Sequence, residues 1–191
     1  RLLELIRGEA ARGRSGRGPS GRGPRGLPLG LQVVGRYRED ERALQVAAWC
    51  EAVLGAHGHR LDWVKFDNRW RSEYQPAMEE VRRGRRDYVV MDQLHREMLD
   101  VALDEFGVAG ISSEEKDHLA LGWRRLDPWP DVVAGMTRLR QRFTVAALSN
   151  GNIALVTEMA KRNGLPWDVI LGADFVRTYK PMPALYDSAP T

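Results

Sequence analysis

Two short polar turns carry the groups best suited to chemistry. Ser149-Asn150-Gly151-Asn152 ends an apolar run, Phe143 to Leu148, and precedes a helical pattern from Ile153 to Arg162 that stops at Asn163-Gly164. Tyr179-Lys180-Pro181 follows a second apolar run, Val169-Ile170-Leu171. The order strand, polar turn, helix, strand, cationic turn is half of an α/β sheet. Parallel strands bring the loops at their carboxyl ends side by side, and open α/β sheets bind ligands there. Ser149, Asn150 and Lys180 are therefore expected at one site. A turn that opens a helix presents unpaired backbone N–H groups and the positive end of the helix dipole, which suits a carboxylate or a phosphate. Ser149 adds a hydroxyl, Asn150 adds an amide, and Gly151 lets the backbone approach a ligand. The competing reading is that Ser149 or Asn150 only caps the helix and that Lys180 is an exposed turn residue.

Other reactive residue types read more plainly. Arg71, in Arg69-Trp70-Arg71, has a guanidinium suited to anions, against the plainer reading of a solvated helix face. His57, His59, His95 and His118 show no metal-ligand spacing with Cys50 or with paired carboxylates. Glu79-Glu80, Glu114-Glu115, Asp100 and Glu105 lie on helices rich in opposite charge and read as solvated faces. The single cysteine excludes an internal disulfide, fits a reducing cytosol, and sits in Val46-Ala47-Ala48-Trp49-Cys50 as a buried thiol. The six Trp read as core.

The elements that must position these groups begin with helices. The spacing predicts amphipathic helices over Ala43–Leu54, Asp62–Gly84 with a kink or break at Pro76, and Met91–Phe106, ended by Gly107. Ser112-Ser113-Glu114-Glu115 is a capping box for a fourth helix, to about Leu126. A fifth runs from Asp131 to Arg142, after Asp127-Pro128-Trp129-Pro130, and a last one starts at Met182 to Tyr186. The reading is α/β: a partial Rossmann-like parallel sheet core over residues 127–191, with a helical cap subdomain over 43–126. Residues 1–42 differ in kind. Arg12 to Gly26 holds five Arg, six Gly and two Pro with no acidic residue, a composition that leaves it disordered or foreign to the domain. Arg1 to Ala11 suits a short helix and Leu31-Gln32-Val33-Val34 a short strand. The net charge of +3 is small, and no run is long enough to span a membrane.

Three separated stretches resemble one family. They are Trp123-Arg124-Arg125-Leu126-Asp127-Pro128-Trp129-Pro130-Asp131-Val132, Leu148-Ser149-Asn150-Gly151-Asn152 and Tyr179-Lys180-Pro181. Together with Trp70-Arg71-x-x-Tyr74-Gln75-Pro76 and Leu94-His95-Arg96, they resemble the haloacid dehalogenase superfamily, and within it the type II (S)-2-haloacid dehalogenases, over His57 to Tyr186. The resemblance implies a hydrolase acting on carbon–halide bonds, with no metal and no cofactor. An aspartate displaces halide, and water then hydrolyses the ester. It also implies roles: Ser149 and Asn150 for the substrate carboxylate, Lys180 for orienting the nucleophile, Arg71 for the halide, and Tyr186 as a wall of the site.

The family's first motif, an apolar strand ending in aspartate before a Gly-Thr turn, has no counterpart here, since Gly35 follows Leu31–Val34. The downstream acidic motif is also missing. The expectation is a reading frame altered upstream of about Glu41 and cut short after about Tyr186. Such a chain would be inactive toward 2-chloropropionate and poorly soluble through unpaired sheet edges. The alternatives are a Mg²⁺-dependent phosphatase of the same superfamily and a non-enzymatic nucleic-acid binder using Arg12 to Arg25. The second is disfavoured because no aromatic interleaves those arginines. The expected partner is a small haloacid rather than nucleic acid or membrane, in a cytoplasmic protein; a homodimer stays open.

Overall fold

The computed structural model describes residues 41–188. The Arg/Gly-rich segment, the helix expected at Arg1–Ala11 and the strand expected at Leu31–Val34 lie outside them. The described fold is mostly helical with a small parallel sheet, as the α/β reading expects.

Five helices come first. α1 (Glu41–Ala56) buries Val46, Cys50 and Leu54, which recur every four residues on one face. α2 (Trp63–Ser72) starts at Asp62, whose carboxylate accepts the Lys65 N–H at 3.1 Å, and it buries Phe66 and Trp70. The single helix expected over Asp62–Gly84 is instead two, and the division falls at Glu73 rather than at Pro76. Pro76 lies in the first turn of α3 (Tyr74–Arg82), where backbone N–H groups have no intrahelical partner and a proline is tolerated. α4 (Met91–Glu105) buries Leu94, Met98, Leu99, Ala102 and Leu103. It is closed by Gly107 at φ 64°, a left-handed position suited to glycine.

α5 (Ser113–Ala120) carries the expected capping box. Ser112 Oγ accepts the Glu115 N–H, and Glu115 accepts the Ser112 N–H. The helix is shorter than expected, since a 3-10 segment, Leu121–Arg125, replaces its last turns. Gly122 lies against the Trp49 indole there, where a Cβ would come within 2.6 Å of Cδ1.

α6 (Val132–Arg140) then leads to β1 (Ala146–Ser149). The strand begins three residues later than the apolar run. Phe143 is 44% exposed, and Val145 is held by Asp168, whose carboxylate accepts the Val145 N–H at 2.9 Å. α7 (Ile153–Asn163) ends on Gly164 at φ 61°, and β2 (Val169–Gly172) pairs with β1 in parallel. A 3-10 turn, Ala173–Phe175, and the short α8 (Pro183–Asp187) complete the described chain.

Two apolar clusters hold these elements. One lies among the helices, around Leu54, Phe66, Trp70, Leu99, Leu103 and Leu119, all fully buried. The other joins α3 and α4 to the sheet through Met78, Met91, Leu94, Ala147, Leu155, Ala173 and Tyr179. Tyr74, Ala77 and Met159 touch both, so the sheet edge and the helices share one continuous support. Fully burying each large side chain contributes roughly 1.5–3 kcal/mol.

Candidate active site

Parallel pairing sets Ser149 opposite Gly172, so both strands end at the same edge. The two following loops pack closely. A Cβ on Gly172 would lie 2.6 Å from the Ile153 nitrogen and 2.9 Å from the Gly151 oxygen. Only glycine permits that approach.

Lys180 arrives at the same edge. Its backbone N–H donates to Asn150 Oδ1 at 2.8 Å, and its Nζ donates to the Leu148 carbonyl at 2.5 Å. Burial lowers the pKa of the ammonium below its ordinary value. Arg82 of α3 donates from Nη1 to the Lys180 carbonyl at 2.9 Å, which ties the cationic turn to the helices. Ser149 Oγ accepts the Gly151 N–H at 2.9 Å and closes the polar turn on itself. Ser149, Asn150 and Lys180 thus stand together.

The competing reading, in which Ser149 or Asn150 caps α7, does not hold. Asn152, not Ser149 or Asn150, is the N-cap residue, and its side chain makes no capping hydrogen bond. Asp174 takes that part instead, accepting the Ile153 N–H at 3.1 Å. A carboxylate there is favoured by the helix dipole. Asp174 was not singled out from sequence; its place just past an apolar run ending in glycine is the signal that was available. Tyr74 was also missed as a site residue. Burial pushes its phenol pKa up, and its hydrogen bond with Asn150 pulls partly the other way.

The other expected site residues flank this junction. Arg71 occupies the last turn of α2, half-buried. Its neighbour Trp70 is a core residue whose Nε1 donates to the His95 carbonyl at 2.9 Å. Tyr186 stands on α8, 48% exposed, and the described hydrogen bonds of Ser149, Asn150 and Lys180 do not extend to it. An open groove of about 600 Å³ runs along α7, lined by Arg124, Ile153, Thr157, Glu158, Lys161 and Asp174, and so lies apart from that trio.

Cys50 and the acidic pairs on the helices follow their plainer readings. Cys50 is buried, and burial followed by the Asp67 charge pushes its thiol pKa up, away from nucleophilic use. Glu79, Glu80, Asp100 and Glu105 pair with arginines or lysine on helix surfaces. No group of three or more metal-ligating side chains occurs among the described residues. No described helix is long and apolar enough to cross a membrane.

The sequence model of the haloacid dehalogenase-like hydrolases matches residues 35–189. The chain belongs to that family. Its match extends the motif resemblance, His57 to Tyr186, at both ends. As a haloacid dehalogenase-like hydrolase, the chain is similar to solved structures of L-2-haloacid dehalogenases. The defluorinating enzyme Rha0230 is 42% identical at a TM-score of 0.74, with 76% of this chain and 60% of that one covered. PA0810 is 40% identical at a TM-score of 0.71, covering 75% and 61%. The Xanthobacter autotrophicus enzyme with chloropropionic acid covalently bound is 26% identical at a TM-score of 0.62, covering 74% and 57%. The hydrolase chain therefore spans about 60% of the length of the structures it matches. No curated protein sequence matches it.

Proposed function

We propose that this chain is the greater part of a 2-haloacid dehalogenase, converting short (S)-2-haloacids into (R)-2-hydroxyacids. The observation that carries the reading is the hydrogen-bonded junction of Asn150 with Lys180 at the carboxyl end of β1, 2.8 Å apart. In a dehalogenase it would serve two charges at once. The Asn150 side-chain N–H groups and the Ser149 hydroxyl suit the substrate carboxylate. The Lys180 ammonium, which donates to the Leu148 carbonyl, suits an attacking aspartate. The likeness to L-2-haloacid dehalogenases at 42% and 40% identity supports this assignment over a phosphatase.

The reaction divides into two displacements. An aspartate oxygen attacks C2 from the side opposite the halogen, forming an ester and releasing halide with its electron pair, which inverts the centre. Water then attacks the ester carbonyl, returning the carboxyl group and freeing the 2-hydroxyacid. Arg71 takes the halide and Tyr186 lines the substrate. No apolar strand ending in aspartate before a Gly-Thr turn occurs in the 191 residues, so the chain provides the half-site and not the nucleophile.

Titration of the 191-residue chain with (S)-2-chloropropionate, followed by amide NMR, tests this. Shifts are expected at Ser149, Asn150 and Gly151, to be weakened by Ser149→Ala, with no halide released. Shifts absent there, or p-nitrophenyl phosphate engaging the turn instead in the presence of Mg²⁺, would overturn the assignment. Halide release by the chain itself would refute the missing-nucleophile part.

A further inference from the structure

We propose that Asp92 and Arg124 are positioning residues for the polar turn and act through Asn152; their effect on substrate rests on the reading of the turn given above. Asn152 is 5% exposed. Asparagine at a helix N-cap ordinarily aims its oxygen at the first free N–H groups of its own helix. Asn152 does not. Its Nδ2 donates to Asp92 Oδ2 at 2.8 Å, and its Oδ1 is buried without a hydrogen-bond partner among the described residues. An unsatisfied buried acceptor is costly, so this orientation is imposed from outside the helix.

The imposing group is a charged ring that closes on itself. Asp92, in the first turn of α4, is held by Arg124 of the 3-10 segment, Nη2 to Oδ2 at 2.6 Å and Nε to Oδ1 at 3.1 Å. Such two-point pairing fixes the carboxylate plane as well as its place. Arg124 Nη1 also pairs with Glu158 on α7, further along the helix from Asn152. The ring thus runs from α4 through the 3-10 segment to α7 and back to its N-cap. Asp92 and Arg124 are 20% and 18% exposed, enough shielding for the pair to hold its geometry.

A second connection reaches the same tetrapeptide. The Asn150 amide lies close enough to the Tyr74 phenol of α3 to offset part of the effect of burial on it. The Tyr74 ring lies 6.4 Å from His95, which stacks on Trp123 at 5.1 Å, next in chain to Arg124. The helices therefore reach the turn on either side of Gly151, at Asn152 through Asp92 and at Asn150 through Arg82 and Lys180. Without Asp92, the Asn152 side chain is free to swing back and cap α7, and the 151–152 peptide turns with it.

The test compares the 191-residue chain with its Asp92→Ala and Arg124→Gln variants. Asp92→Asn is the near-isosteric check on folding, and Arg124→Lys restores charge without the two-point fork. Amide hydrogen exchange is read at Leu155, the third helical residue, and (S)-2-chloropropionate binding is read by NMR. The proposal expects Leu155 protection to rise in the first three variants and binding to weaken about tenfold, with Arg124→Lys intermediate. General loosening of the fold would lower Leu155 protection instead, and that result, or unchanged protection, overturns the proposal. So does unchanged binding where the parent chain binds. If protection rises but the parent chain does not bind chloropropionate, the positioning role stands and the haloacid reading fails.

Discussion

In a His95→Phe variant, the chain is expected to lose a pH dependence of stability that the parent carries between about pH 6.5 and pH 4. His95 is 6% exposed, stacked between Trp123 and Tyr74 at 26° to each ring, and its Nδ1 is buried without a hydrogen-bond partner among the described residues. Burial pushes the imidazole pKa down to about 4, with the Asp92 charge pulling weakly the other way. The unfolded chain binds this proton near pH 6.5, the folded chain only near pH 4. Stability from the neutral ring is therefore present above the unfolded value and lost as pH falls through the folded one. The full difference is on the order of 3 kcal/mol, of which roughly 2–3 kcal/mol is gone by pH 4.5. Phe keeps the ring stack and has no proton to gain. Urea unfolding at pH 7.5, 5.5 and 4.5, followed by far-UV circular dichroism, measures both proteins, and carboxylates common to the two cancel in the difference. The two are expected to agree within about 1 kcal/mol at pH 7.5, with the variant more stable by roughly 2–3 kcal/mol at pH 4.5. Parallel curves would show that His95 titrates as an ordinary histidine, and the burial argument would fail.

Gly122→Ala would drive a Cβ to within 2.6 Å of Trp49 Cδ1 and 2.9 Å of its Nε1; a loss of about 1–3 kcal/mol is expected in the urea midpoint. Gly172→Ala meets backbone atoms, Ile153 N at 2.6 Å and Gly151 O at 2.9 Å, so it should cost about as much and also weaken chloropropionate binding, read by amide NMR. Ser112→Ala removes the capping hydroxyl of α5 and should cost about 1 kcal/mol in urea unfolding, without altering that binding.

Much of the site was legible because parallel strands obey a simple geometric rule. Two apolar runs separated by a helical pattern had to end at one edge, and Ser149, Asn150 and Lys180 followed from that alone. The Ser112–Glu115 box was equally legible, since both its partners lie within one helical turn. Where local rules misplaced a boundary, a competing local rule explains it. Pro76 marked a break that fell at Glu73, because a proline in a helix's first turn removes no intrahelical hydrogen bond.

What the sequence by itself determined is the set of local elements, the polar turn with its lysine, and the motif likeness that the family match bears out. What only the tertiary structure decided is how those groups are held. Asp174 reaches Ile153 across 21 residues, Asn152 reaches Asp92 across 60, and Lys180 meets Arg82 across 98. Helical and strand periodicities report energies between near neighbours in the chain, within a turn or across one pleat. They carry no information about which distant helix delivers a side chain to a turn. Packing decides that, here through the cluster of Met78, Met91, Leu94 and Tyr179 that sets α3 and α4 against the end of the sheet.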